Sequence, residues 1–210
     1  MKNNFRIINF LRIVFKILYR VGVVGIVLLG IGHIVCLFDV DKVVKVTFLG
    51  TSHLQLASGY NLITGDSFTG LADLDVSLEY IRSSGLFYRI LALLNWIIPA
   101  ILSVFVFRYA HLIFKDLKER DKDSNYFSIE IYHRLKKIGF LILASKLYLF
   151  MNGAIISWFV LDNFTILDQD VNFQPDYTYL LGIVKVLVIF VFAEIYRTGI
   201  SLKDEVDLTI

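Results

Sequence analysis

Apolar residues gather in four long runs along the chain. Val21 to Phe38 is 18 residues without a charge, and Ile90 to Phe107 is another 18. Gly139 to Leu161 is 23 residues interrupted by Lys146, and Tyr177 to Tyr196 is 20 residues holding Lys185 and Glu194. A bilayer core of about 30 Å needs about 20 helical residues at about 1.5 Å each. The pattern predicts four membrane helices over residues 17–38, 89–114, 138–161 and 177–196. A buried helix of a soluble protein would be shorter and would alternate with polar faces.

Between the runs the pattern changes. Residues 39–88 alternate at period two: Val44, Val46 and Phe48, then Leu74, Val76, Leu78 and Tyr80. Gly59, Asn61, Gly65, Asp66 and Gly70 supply turn residues between them. Such alternation predicts short half-buried strands in a small hairpin or meander. This segment either binds a ligand or caps the helix ends. Residues 115–137 form a charged connector with a turn at Ser124-Asn125. Ser128 is placed to cap a new helix, with Glu130 in its first turn. From there Ile131, Leu135, Ile138 and Ile142 make one stripe that enters the third run. The opposite face carries His133, Arg134, Lys136 and Lys137, bases suited to lipid phosphates or to an acidic partner. Residues 1–16 are a basic amphipathic segment, lying in the interface or protruding as part of the first helix. Residues 162–176 form an acidic loop and 197–210 a tail.

The fold class expected is therefore an all-α membrane protein, a four-transmembrane-helix bundle with a small β-rich extracytoplasmic loop between helices 1 and 2. Composition agrees: 57% hydrophobic, 19% charged, with a mean hydropathy of +0.67. Soluble domains average roughly 45–50% apolar and about 25% charged. The net charge of +2 hides a strong asymmetry. Residues 1–20, 108–137 and 197–210 hold 15 Lys and Arg together, whereas 39–89 and 162–176 hold four. By the positive-inside rule both termini and the central connector are cytoplasmic. The first run is longer than a signal-peptide core and lacks a small-residue cleavage site, so it is expected to stay. The lone Cys36 forms no intrachain disulfide.

Candidate chemistry is sparse. Lys146 lies eight residues past Ile138 and Lys185 eight past Tyr177. Each is thus about 12 Å from its own membrane surface. Lys146 is placed to reach towards Glu194, which would offset part of the burial of both. A relay or anion site is one reading of these groups; snorkelling or an interhelical ion pair is the other. Asn95 and Asn152 add polarity inside the runs, and Pro99 frees the backbone carbonyl of Asn95. Asn95 is expected to hydrogen-bond another helix. Gly22, Gly25, Gly30 and Gly32 suit close helix approach and leave a homo-oligomer open. His33, His53, His111 and His133 are scattered. Metal-ligand spacings, phosphate-binding loops and catalytic motifs are absent from the sequence, so no cofactor and no enzymatic activity are expected. The few bases and the apolar strip beside them speak against direct nucleic-acid binding.

Two segments resemble a bacterial four-span membrane protein family catalogued as domain of unknown function twenty-nine seventy-five. One is Phe127-Ser-Ile-Glu130 followed by Arg134-Leu-Lys-Lys-Ile-Gly139. The other runs from Glu194 through Arg197, Gly199, Glu205, Asp207 and Thr209 to a final aliphatic residue. Ile131 stands where the family often has Asn. The resemblance implies a multi-pass protein of the bacterial cytoplasmic (inner) membrane. Its partners would be the lipid bilayer and a small helix-turn-helix transcription regulator, held on the cytoplasmic face. Glu130, Arg134, Arg197, Lys203, Glu205 and Asp207 would form the docking surface, cap helices three and four and fix their ends, or do both. The alternative from the intramembrane charges is a small transporter or channel subunit using Lys146, Lys185 and Glu194.

Overall fold

The computed structural model describes residues 2–38, 47–60, 67–77, 86–120, 127–160, 165–166, 169–170, 173–174 and 178–209. Four helices dominate: α1 (Lys2–Phe38), α2 (Leu86–Arg120), α3 (Ile129–Val160) and α4 (Thr178–Thr209). At 32 to 37 residues each, they are roughly 48 to 56 Å long. That exceeds a hydrocarbon core of about 30 Å, so several turns of each remain for polar residues.

Two strands lie between α1 and α2. β1 (Thr47–Tyr60) pairs antiparallel with β2 (Ser67–Ser77), Tyr60 opposite Ser67 and Thr47 opposite Ser77. The register slips between Phe48 and Ser52 and again between Leu54 and Ala57. Such bulges break strict two-residue alternation, because each extra residue moves the following side chains to the other face. The two-residue strands β3 (Thr165–Ile166) and β4 (Gln169–Asp170) pair with each other, and β5 (Phe173–Gln174) adds to β1. Val44, Val46, Leu78, Tyr80, Asn61, Gly65, Asp66 and the Ser124-Asn125 turn lie outside the described residues.

Three helical stretches are long and apolar enough to cross a membrane: Arg6–Val35, Leu93–Arg120 and Ile129–Ile155. The expected fourth span is not among them. Its side chains are described from Leu181, and the eighteen residues from there already contain Lys185, Glu194 and Arg197.

The chain divides into two compact units, one of Met1–Leu29, Ile98–Lys146 and Leu181–Ile210, the other of Gly30–Ile97 and Leu147–Leu180. In the first, α1 and α2 are held by the stacked rings of Phe15 and Phe114, 5.4 Å apart. His111 Nδ1–H donates to the Arg12 carbonyl at 3.1 Å, and Lys118 Nζ donates to Asn9 Oδ1 at 3.0 Å. The basic amino-terminal segment is thus the first part of α1, packed on α2. A Cβ at Gly22 would stand 2.6 Å from Val104, so the glycine admits that side chain. α3 and α4 run antiparallel in steady register: Tyr132 meets Glu194, Gly139 meets Phe190, and Lys146 meets Gly182. The core of this unit is narrow, comprising Val104, Ala110, Ile113, Ile131, Tyr132, Val186 and Ala193. Large apolar residues face outwards instead. Leu181, Val184, Leu187, Val191 and Ile195 of α4 are all exposed, while Val186 and Ala193 are buried. In water each such exposed side chain would forgo roughly 1.5–3 kcal/mol of burial; against lipid tails it forgoes none.

Candidate functional site

Ser128 closes the start of α3. Its Oγ accepts the N–H of Ile131 at 3.4 Å, and its carbonyl accepts the N–H of Tyr132 at 3.3 Å. A capping serine of this kind is typically worth about 1 kcal/mol. Ser128 is buried, so its own N–H also needs an acceptor. Tyr196 supplies one: the Ser128 N–H donates to its hydroxyl oxygen at 3.1 Å. The preceding Phe127 ring lies 5.3 Å from that of Tyr196. Phe127 also covers Gly199, one turn further along α4, where any Cβ would overlap the ring.

Glu194 gathers a second set of partners. The Tyr132 hydroxyl donates to Oε1 at 3.0 Å, Arg197 stands 3.3 Å from Oε2, and Lys136 stands 4.0 Å from Oε1. Thr198 Oγ1 donates to the Glu194 carbonyl at 3.1 Å. The Glu194 side chain is half exposed, so each ion pair contributes on the order of 0–1 kcal/mol. The expected approach of Lys146 to Glu194 is not made. The Lys146 stem lies across Gly182 of α4, and Glu194 is twelve residues, about 18 Å, further along that helix.

On the side facing α2, Arg134 donates to the Asp116 carboxylate and, at 3.1 Å, to the Leu112 carbonyl. Both partners of that ion pair are largely buried. Arg120 pairs with Glu130 at 3.3 Å. Glu130 sits in the polar turn ahead of the apolar stretch that opens at Ile138. Its carboxyl is held below the ordinary value by its own backbone N–H and by the Ser128 hydroxyl, with the guanidiniums of Arg120 and Arg134 adding to the effect. Gly139, nine residues further along α3, gives room to Phe190, whose ring meets Phe140 edge-on at 5.0 Å.

The structure thus joins Phe127, Ser128, Glu194, Arg197 and Gly199 in one latch between α3 and α4. Glu130 and Arg134 lie on the same turns but face α2. Lys203 and Glu205 lie further along α4, which stays helical through the expected tail. The side chains of Asp207 and Thr209 lie outside what is described. Tyr132, Tyr196 and Asp116 belong to the cluster without having stood out in the sequence, and Lys136, expected there only as part of a basic face, joins them. Their signal was positional: Tyr132 and Lys136 follow Ser128 at intervals of four, and Tyr196 sits between Glu194 and Arg197.

In the other unit, Asn152 Nδ2 donates to Asn95 Oδ1 at 2.9 Å, linking α3 to α2. Asn152 is 2% exposed, and its Oδ1 is buried without a hydrogen-bond partner. Lys185 is exposed on α4. No cluster of three or more metal-binding side chains occurs among the described residues.

Long apolar helices that leave many large apolar side chains exposed define a multi-helix protein of the membrane-spanning type. Residues 68–210, which contain the whole latch, match the family described as "Protein of unknown function (DUF2975)", and the chain belongs to that family. No curated protein and no solved structure matches it.

Proposed function

We propose that this is a non-enzymatic regulatory protein of the bacterial cytoplasmic membrane, which holds a small helix-turn-helix transcription regulator at the latch end. In this reading all four helices span, α4 included, since Leu181, Val184, Leu187, Val191 and Ile195 face outwards on it, with Lys185 an exposed charge among them that snorkels. The excess of Lys and Arg puts both termini and the α2–α3 connection in the cytoplasm. The strands between α1 and α2 then form the extracytoplasmic loop.

The observation that carries the partner reading is an open apolar groove beside the latch. It is about 510 Å³ in volume and is lined by Phe127, Phe192, Ile195, Tyr196, Thr198, Gly199 and Leu202. Ile195, Gly199, Leu202 and Val206 continue as one stripe at spacings of four, three and four, with Leu202 and Val206 exposed. Lys203 and Glu205 flank that stripe, one on each side. An amphipathic helix of a soluble partner would find there both apolar anchors and charges of both signs. The transport reading is left with Lys146 and Lys185, because Glu194 stands at the polar end with partners of its own.

Binding of the full-length protein in nanodiscs to the purified regulator encoded beside its gene tests the proposal. Leu202→Glu should weaken that binding at least about tenfold, while Lys185→Met should leave it unchanged. No binding by the wild type, or equal binding by Leu202→Glu, would overturn the reading.

A further inference from the structure

A second groove, about 470 Å³, opens on α3 between Tyr132, His133, Lys136, Lys137 and Phe140. It straddles the change from polar to apolar sequence at Ile138. His133 and Lys137 are exposed above that line; Phe140, 56% exposed, and Ala144 continue the same face below it. Aromatic rings hold the two ammonium groups in place. Lys136 Nζ donates to the Tyr132 hydroxyl at 3.2 Å and stands 5.3 Å over that ring. Lys137 Nζ stands 5.5 Å over the ring of Tyr109 on α2. Such contacts position a cation without neutralising it. Glu194, 4.0 Å from Lys136, is closer to Arg197 at 3.3 Å and so is shared.

We propose that this groove is a binding site for an anionic phospholipid. The headgroup phosphate lies between Lys136 and Lys137, with His133 and the Tyr132 hydroxyl beside it, and an acyl chain follows Phe140 and Ala144. An acidic protein segment would satisfy the bases but leave the apolar lower half of the face exposed; a phospholipid matches both halves. The proposal rests on α3 crossing the bilayer and is independent of the partner at α4.

Native mass spectrometry of the full-length protein, with phosphatidylglycerol titrated against phosphatidylcholine, tests it. The wild type should retain phosphatidylglycerol in preference, and Lys136→Gln/Lys137→Gln should lower retention about tenfold. Lys16→Gln/Arg20→Gln removes the same charge from exposed positions on α1 and should leave retention intact. Lys137→Gln alone, which gives up one ring contact, should show a loss of about threefold even if the double variant fails to fold. Four results would overturn the site: equal retention of both lipids, no loss in either lysine variant, equal loss in the α1 control, or displacement of the lipid by millimolar inorganic phosphate. The last would assign the lysines to a free anion.

Discussion

Gly199 of α4 lies under the ring of Phe127, so close that a Cβ would overlap the ring edge. Replacing it therefore forces either the ring or the helix to move. Gly199→Ala should destabilise the protein by about 1–3 kcal/mol, the usual effect of overpacking. The loss should shrink when Phe127→Ala is added, because the ring that clashes is gone. Thermal unfolding of the four chains in one detergent measures the coupling; strictly additive effects would contradict the contact.

Tyr196→Phe keeps the ring against Phe127 but removes the acceptor for the Ser128 N–H. A buried donor left without a partner costs about 1–3 kcal/mol. Ser128→Ala, which removes the cap but leaves the N–H bonded to Tyr196, should cost about 1 kcal/mol. Hydrogen exchange at Ile131 and Tyr132 should quicken in both variants.

Glu130 has an ordinary carboxyl value of 4.5, which the folded chain lowers through its own N–H, Ser128 and two guanidiniums. A lowered folded value means that the stabilisation is complete above the unfolded value and is lost as pH falls through the folded one. The melting temperatures of wild type and Glu130→Gln should therefore differ at neutral pH and converge in acid. The group is exposed to solvent, so the difference is small.

Asn95 and Asn152 should show direct coupling in a double-mutant cycle. Interhelical hydrogen bonds in membrane proteins average about 0.6 kcal/mol and reach about 1.7 kcal/mol. Asn95→Leu alone leaves the whole Asn152 amide buried without a partner, so it should destabilise more than Asn95→Leu/Asn152→Leu together. Equal effects would mean that the two side chains do not meet.

The helices were legible because burial in lipid demands long apolar runs and leaves few other ways to read them. Ser128 as a cap followed from its place before a periodic stripe, and an interhelical partner for Asn95 followed from the cost of an unpaired amide. The latch was not legible. Sequence spacing shows what shares a face within one helix, but not which turn of α4 stands beside which turn of α3. Pairing Lys146 with Glu194 assumed a register that the close passage of Lys146 over Gly182 rules out. Tyr132 and Tyr196 drew no role from the sequence, and the structure places their hydroxyls at Glu194 and Ser128. The β1–β2 register was blurred by bulges that a strict alternation does not foresee.

The hydrogen bond from Ser128 to Tyr196 spans 68 residues of chain, and its direction has a consequence for biosynthesis. The start of α3 leaves the ribosome first, and its acceptor follows roughly 3 to 14 s later at about 5–20 residues per second. During that interval the Ser128 N–H, the Tyr132 hydroxyl and the Phe127 ring have no mate from α4. A nascent chain stalled before Tyr196 therefore displays an unfinished helix start to whatever proteases survey the membrane, and the arrival of α4 withdraws it.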